Sequence, residues 1–188
     1  MKKRTKAILW LESALCALAA GDAGDDTRAT ALSLLIEMDS PYADKACVVN
    51  AVRGENAADI AIERLKTAGA ASVTPLLDIY PEADDRVKAI IIEILVRHPE
   101  IKQTLPLLEE RLLSDGSRRA FYAACAAASG DAALLKTLGR LAESDDVGYI
   151  DYMEISNAIE ALGGEPDFGR AFYGDKDYER MIDYTGDD

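Results

Sequence analysis

Histidine, cysteine and aromatic residues are scarce in this sequence. It has one histidine, three cysteines and 6% aromatic residues in 188 positions. With His98 as its only imidazole, the chain is nearly excluded from the usual zinc sites and from nucleophile–histidine catalysis. His98 stands directly before Pro99 at the end of a predicted helix, a position that favours interaction with helix-terminal carbonyl groups.

Glycine-rich phosphate loops and serine nucleophile motifs are also missing. The segment "GDAGDD" at 21–26 has two glycines but no lysine, and its carboxylates would repel a phosphate, so it is typical of a helix–helix connection. Paired acids such as Asp84–Asp85 lie in predicted turns or on polar helix faces, where capping and solvation explain them. The sequence therefore predicts no catalytic, metal-binding or cofactor-binding residue and a protein that is not an enzyme.

The three cysteines are far apart and lie in apolar or alanine-rich surroundings. They are Cys16, Cys47 and Cys125, and no two have the CxxC spacing of a metal or redox site. Thiols in this pattern act as small apolar side chains and indicate a reducing compartment. We therefore expect a cytoplasmic protein.

No run approaches the ~20 apolar residues of a membrane span, so we expect no membrane partner. The basic start and the apolar residues up to Ala20 are similar to a secretory signal, but Glu12 and Ser13 interrupt them. Ile8, Leu11, Leu15 and Leu18 instead follow one face of a helix. Secretion after signal cleavage is the minor alternative.

Positive charge is deficient, and unevenly so. The net charge is −13; residues 1–142 hold 18 basic and 20 acidic residues, whereas residues 143–188 hold 3 basic and 14 acidic ones. Nucleic acid is therefore not an expected partner, because phosphate binding needs a surface of lysine and arginine. The acidic end is either a solvated, solubilising surface or one that attracts a basic partner.

A repeat organises the middle of the chain. The letters PLL occur at 75–77 and 106–108, 31 residues apart, each followed by an acidic turn, a basic residue and alanine. Apolar periods of 10 to 18 residues predict helices over Lys3–Ala20, Thr27–Met38, Tyr42–Arg53, Asn56–Ala68, Ser72–Tyr80, Asp85–Arg97, Ile101–Leu113, Ser117–Ser129, Ala132–Glu143 and Tyr149–Leu162. Ala89–Leu95, "AIIIEIL", has strand propensity, but Val87, Ile91, Ile94 and Leu95 share one helical face.

The stretch "PLLDIYPEADDRVKAIIIEIL" resembles a HEAT repeat. The family has a leucine-rich first helix, an acidic turn and a valine–basic–x–alanine step, which Asp85, Val87, Lys88 and Ala89 match with lysine for the usual arginine. Residues 115–125 match more loosely, since Arg118 replaces the valine. The resemblance implies an all-α fold: a right-handed α-α superhelix, or HEAT-like solenoid, of about five helical hairpins.

The same resemblance predicts one solenoid domain over residues 1–188. Its clearest repeats are 72–98, 103–129 and 132–162, and residues 163–188 form an acidic, tyrosine-rich C-terminal cap. The last 40 residues hold five of the eight tyrosines. Tyrosine is frequent at interface hot spots, and neighbouring acids favour a basic partner, whereas a terminal unit of a solenoid also needs a capping helix.

The function predicted first is that of a non-catalytic protein-binding module, in one version an acidic adaptor or an immunity-type inhibitor of a basic protein. The candidate partner-binding residues are Tyr149, Tyr152, Tyr173, Tyr178, Asp175 and Asp177. The alternative is a modifying factor similar to the HEAT-like bilin lyases, with a site in the concave groove where Arg86, Lys88, Arg118 or Arg119 meets a buried acid. A third possibility is a subunit of a larger assembly that docks through Trp10 and the N-terminal helices.

Overall fold

The computed structural model describes residues 5–185, which contain helices and turns and no strand. The predicted all-α class is therefore confirmed for this part of the chain, including Ala89–Leu95, which is helical. No helix among the described residues has the length and the apolar character needed to cross a membrane. The chain forms two compact units, one that reaches to Ile101 and one that starts at Lys102. The single domain expected for residues 1–188 stays a prediction.

Within the described residues, the first unit contains seven α-helices, of which the first four form two packed pairs. Its α-helices are α1 (Lys6–Ala20), α2 (Asp25–Glu37), α3 (Ala43–Arg53), α4 (Asn56–Lys66), α5 (Ala70–Val73), α6 (Pro75–Ile79) and α7 (Asp85–Leu95), with a 3-10 turn at Tyr80–Glu82. α1 packs on α2, and α3 packs on α4. Alternate helices are also neighbours: α1 contacts α3, α2 contacts α4, and α7 contacts both α4 and α3. The helices of this unit therefore share one apolar core.

The second unit repeats this arrangement. Its α-helices are α8 (Thr104–Ser114), α9 (Arg119–Ser129), α10 (Leu135–Ala142), α11 (Tyr149–Ala161) and α12 (Lys176–Thr185), with 3-10 turns at Gly116–Arg118 and Ala132–Leu134. α8 packs on α9 and α10 packs on α11, while α9 and α11 lie side by side. α12 contacts α11. The predicted repeats 103–129 and 132–162 thus each hold one pair of packed helices.

Leucine and isoleucine fill the interior of each unit. The largest side chains with no or almost no exposed surface are Leu32, Leu35, Leu65, Leu76, Ile91, Ile92, Ile94 and Leu95 in the first unit, and Leu108, Leu112, Tyr122 and Leu138 in the second. Alanines such as Ala46, Ala61 and Ala126 are also fully buried. Their small side chains let neighbouring helices approach closely, which explains why alanine is frequent in this sequence.

Cations from one hairpin bind the C-terminal carbonyl groups of the preceding one. Arg53 at the end of α3 donates to the carbonyl oxygens of Ala20 (3.0 Å) and Gly21 at the end of α1. Arg86 at the start of α7 donates in turn to the carbonyl oxygens of Val52 (3.2 Å) and Arg53 at the end of α3. These guanidinium groups satisfy carbonyls that have no partner within their own helix and complement its negative end.

Gly54 makes the contact of Arg86 possible. It ends α3 with a φ of 78°, a left-handed conformation that glycine adopts at little cost. A Cβ atom at this position would lie 1.8 Å from an Nη atom of Arg86. The missing side chain therefore leaves the space in which the guanidinium reaches the end of α3.

Carboxylates bind the opposite, N-terminal ends of neighbouring helices. The carboxylate of Asp25 in α2 accepts hydrogen bonds from the backbone amides of Asn56 (3.0 Å) and Ala57 (3.3 Å) at the start of α4. In the second unit Asp151 of α11 accepts one from the amide of Ala120 in α9. An acid at the positive end of a helix stabilises it and also satisfies an amide that lacks an intrahelical partner.

The structure differs from the sequence-based helix bounds mainly at Pro75. The helix predicted over Ser72–Tyr80 is divided into α5 and α6, because Pro75 has no amide hydrogen to donate within a continuous helix. Two further predicted helices begin with a 3-10 turn, so that α9 starts at Arg119 and α10 at Leu135. Asp84 caps α7 as expected, accepting from the amide of Val87 at 2.8 Å.

Candidate interaction surface

An aromatic cluster joins the acidic C-terminal segment to α11. Phe172, from the loop between α11 and α12, lies at its centre and is 9% exposed. Its ring centroid is 4.9 Å from that of Tyr152, 5.8 Å from that of Tyr149 and 6.0 Å from that of Tyr178. The tilted and edge-to-face arrangements are those that aromatic rings prefer. The cluster therefore holds Phe172 and Tyr178 against α11.

Arg170 holds the same loop from the other side. Its guanidinium carbon lies 4.7 Å from the ring centroid of Phe172 and 5.7 Å from that of Tyr152. Nη1 donates to the carbonyl oxygens of Ala142 (2.7 Å) and Ser144 (3.1 Å), at the end of α10. Arg170 thus combines cation–π contacts with a C-terminal cap, as Arg53 and Arg86 cap helices in the first unit.

Asp175 connects two helix N-termini. One carboxylate oxygen accepts from the backbone amide of Tyr149 at 3.0 Å, which starts α11. The other accepts from the amides of Asp177 (3.0 Å) and Tyr178 (3.2 Å), at the start of α12. These bonds, first among them the one from the Tyr149 amide, lower the pKa of Asp175 because they stabilise its charged form.

Two neighbouring depressions open on this part of the second unit. The larger, of about 550 Å³, is lined by the carboxylates of Glu143, Asp145, Glu165 and Asp167 together with Gly139, Ala142, Tyr152, Ile159, Pro166 and Arg170. The smaller, of about 410 Å³, is lined by Asp145, Asp146, Val147, Gly148, Phe172, Tyr173, Gly174 and Asp175. Asp145 belongs to both. Carboxylates far outnumber cations here, so the surface carries a negative potential. We name these two depressions and their rims the acidic surface.

The candidate binding residues divide into buried and exposed ones. Tyr152 is 3% exposed and packs inside the aromatic cluster, and Tyr149 and Tyr178 are half-buried with their ring centroids 5.2 Å apart. Tyr173 is 89% exposed beside Tyr178. Tyr173 is therefore the ring with most surface to offer to another molecule.

The two candidate acids also differ in position. Asp175 is half-buried and occupied by three backbone amides, whereas Asp177 is exposed and forms an ion pair with Arg180 at 3.2 Å. Phe172 and Arg170, which hold the surface in shape, were not among the candidates. The sequence "FGRAFY" contains both, but no period or repeat distinguishes them there.

Each of the four cations suggested for a modifying-factor site in the groove contacts another group of the fold. Arg86 donates to the backbone of α3, and Lys88 lies over the ring of Tyr80 with Nζ 5.6 Å from its centroid. Arg118 meets Asp115 at 3.5 Å and Arg119 meets Asp151 at 3.9 Å. Arg86 therefore caps a helix end and Lys88 contacts the turn at Tyr80, while the contact of Arg118 with Asp115 belongs to a network in the α8–α9 turn.

That network centres on Asp115, whose side chain is 10% exposed. Its carboxylate accepts from Arg111 Nη2 (2.6 Å), Ser117 Oγ (2.7 Å), and, at 3.5 Å each, Arg118 Nη1 and the Tyr122 hydroxyl. The Ser117 hydrogen bond, followed by that of Arg111 and its charge, lowers the pKa of Asp115. Burial raises the pKa of the Tyr122 phenol. The network is a structural element of the turn.

His98 binds a helix end, as the sequence favours. It is buried, and its Nε2 donates to the carbonyl oxygen of Leu65 at 2.9 Å. That carbonyl belongs to the end of α4, so His98 completes a neighbouring helix and not its own. Among the side chains that the structure describes, no group of three or more from histidine, cysteine, aspartate or glutamate is placed to hold a metal ion.

Cys47 and Cys16 differ in environment, which gives a chemical test of the first unit. Cys47 has no exposed surface, and burial, with a smaller effect of the Asp44 charge, raises its pKa to about 12. With this pKa about one Cys47 in ten thousand is ionised at pH 8, and it reacts slowly because the thiolate is the reactive form.

We expect iodoacetamide at pH 8 to modify half-exposed Cys16 and leave Cys47 unmodified until urea unfolds the chain, as followed by peptide mass spectrometry. Equal rates at Cys47 and Cys16 in the native protein would contradict this packing.

Comparisons with protein-family models, with curated proteins and with solved structures find no match to this chain. The contacts and charges of its own residues are therefore the basis of the proposals that follow.

Proposed function

We propose that the chain is a HEAT-like α-solenoid, a right-handed superhelix of about five helical hairpins that ends in the segment 163–188. The support is the packing of alternate helices within each unit, α1 with α3, α2 with α4 and α9 with α11. Hydrogen bonds between hairpins also join residues one repeat apart: Asn50 donates to the carbonyl of Ala19, 31 positions earlier, and Arg86 to that of Val52, 34 positions earlier. Such spacings are typical of stacked helix pairs.

On this scaffold the chain acts as a non-catalytic module that binds a protein with a basic surface. The observation that carries this proposal is the acidic surface itself, where the carboxylates of Glu143, Asp145, Glu165 and Asp167 surround a depression about 550 Å³ in volume. A negative concave surface attracts basic side chains over several ångströms and accelerates association. Exposed Tyr173 on the rim adds a rigid ring with a hydroxyl group.

The surface is held in shape before any partner binds. Asp175 fixes the starts of α11 and α12, and Arg170 and Phe172 fix the loop between them. Because little side-chain or loop freedom is then lost on association, more of the electrostatic attraction contributes to affinity. An adaptor and an inhibitor of a basic protein would both use the surface in this way.

A charge-reversal variant tests the proposal. Glu143, Asp146 and Glu165 are exposed on the acidic surface, and the triple variant E143K/D146K/E165K changes the net charge from −13 by six units to −7. We expect the wild-type chain to retain a basic protein from a host lysate at 50 mM salt and to release it at 300 mM. The variant should bind the purified partner about 10- to 100-fold more weakly in calorimetry.

The matched control is E37K/D59K/E82K, three exposed acids of the first unit whose reversal changes the net charge equally. It should retain the wild-type affinity, since those positions lie outside the acidic surface. An equal loss of affinity in both triple variants would show only an effect of net charge and would overturn the assignment of the binding site. A retained partner that is acidic, or binding that is insensitive to salt, would also contradict it.

A further inference from the structure

Helix α1 presents an apolar face to solvent. Its inward side is formed by Glu12, Leu15 and Ala19, all buried. The opposite side, at positions separated by three or four residues, carries Ala7, Trp10, Leu11, Ala14, Ala17 and Leu18. Trp10 is 73% exposed, Leu11 43% and Leu18 45%. Exposed apolar side chains that lie together on one face of a helix indicate a surface at which binding can occur.

Opposite charges lie at the two ends of this face. Lys6 is exposed in the first turn of α1, and the sequence has three more basic residues at 2–4, separated from Lys6 by Thr5. Beyond the last turn, Asp22 and Asp26 are exposed. α1 spans about 22 Å at 1.5 Å per residue, so a basic end and an acidic end flank the apolar residues.

We infer that α1 pairs with α1 of a second copy of this chain, antiparallel and about a two-fold axis that passes near Ala14. In this register each basic end meets an acidic end, with Lys6 opposite Asp22 of the other copy. Trp10 then faces Leu18, so that a large ring meets a branched aliphatic side chain. The same surface serves both copies, which is the property of a closed two-fold dimer.

The register also fits the sizes of the side chains. Leu11 faces Ala17, and Ala14 faces its own equivalent at the crossing point, where a small side chain permits close approach of two helices. Because one helix from each copy forms the whole interface, its area is at the lower end of the range for specific protein–protein interfaces. We therefore expect a dissociation constant of about 1–100 µM. This inference concerns the first unit and does not depend on the binding proposed for the acidic surface.

The single tryptophan of the chain is Trp10, so its fluorescence reports on this face alone. Between 1 and 300 µM protein we expect its emission to shift to shorter wavelength as the ring leaves water. Sedimentation velocity should show a monomer–dimer equilibrium over the same range. L11E should weaken the dimer about 100-fold, because it places a charge within the apolar contact.

Charge exchange tests the antiparallel register. K6E and D22K should each weaken dimerisation about tenfold, since each creates two contacts between like charges. The double variant K6E/D22K should return to within about threefold of the wild type. K45E and D59K alter exposed residues of the same unit outside α1 and should leave dimerisation unchanged. Because the altered side chains are exposed, circular dichroism should be the same for all variants.

Other occupants of the face would give other results. A chain that stays monomeric with constant emission at 300 µM overturns the inference, as does a double variant weaker than either single one. Association that continues beyond the dimer would indicate heterologous contacts, for example of α1 with the acidic C-terminal end of another copy. A blue shift only with vesicles of phosphatidylcholine and phosphatidylglycerol at 7:3 would indicate a membrane surface and would also overturn it.

Discussion

We expect the substitution Asp115→Ala to lower the free energy of unfolding by about 1–3 kcal/mol, because it removes the acceptor at the centre of the network in the α8–α9 turn. The carboxylate is 10% exposed, and the guanidinium of Arg111 that it binds is 11% exposed. Removal of the acid takes away this ion pair and also an acceptor from the hydroxyl groups of Ser117 and Tyr122. Urea denaturation followed by circular dichroism measures the change.

The pH dependence provides a second test of the same network. Since the pKa of Asp115 is lowered in the folded state, its contribution to stability is complete above the unfolded pKa of about 4 and is lost as pH falls through the folded value. The Asp115→Asn variant should therefore lose less stability on acidification than the wild type. As a control, Asp145→Ala removes a fully exposed carboxylate 3.6 Å from Arg170 and should leave the urea midpoint unchanged.

Ile92→Ala should destabilise the first unit by about 2–5 kcal/mol, the cost of a cavity in a packed core. Ile92 has no exposed surface, and neither has Ile91. Both variants should therefore lower the urea midpoint by similar amounts, although the two side chains point to different sides of α7. Ile90, which precedes Ile91 in α7, is half-buried and offers the matched control.

We expect Ile90→Ala to cost about 0.5–1.5 kcal/mol, because less apolar surface returns to water. If Ile92→Ala lowered the free energy of unfolding no more than Ile90→Ala, the side of α7 that carries Ile92 would not be buried. The m-value should stay constant across the three variants, so that the midpoints report stability and not a change in the unfolded state.

The burial of Ile92 shows how far the sequence leads. Helical periodicity correctly places Val87, Ile91, Ile94 and Leu95 in the core, but it assigns the core to one face. α7 contacts both α3 and α4, so a second side of the helix is buried as well. Helical periodicity identifies one apolar face, which is enough for a helix that packs on a single neighbour. It does not identify a helix that is buried between several neighbours.

Proline and the turns show a second limit. The helix pattern over Ser72–Tyr80 is present, yet Pro75 divides it, because a missing amide hydrogen interrupts a helix whatever the side-chain pattern. Asp115 illustrates the same point for caps. Its position before α9 suggests a helix-capping acid, but in the structure it accepts from the side chains around it, an arrangement that depends on the fold of the whole turn.

At the acidic surface the sequence predicts composition well and roles poorly. It correctly shows that acids and tyrosines are concentrated there, but residues of one type have different environments. Tyr152 is buried while Tyr173 is 89% exposed, and Asp175 binds backbone amides while Asp177 reaches solvent. Without a period in residues 163–175, only the packing around Phe172 distinguishes them.

The capping of helix ends by cations from later in the chain limits how the protein can be shortened or lengthened. α1 is completed by Arg53, α3 by Arg86 and α10 by Arg170, each supplied 28 to 34 positions downstream. A truncation just before such an arginine would leave a helix terminus exposed, even though every residue of that helix was retained. Insertions and deletions should therefore be tolerated best where they leave each arginine able to reach the helix end that it caps.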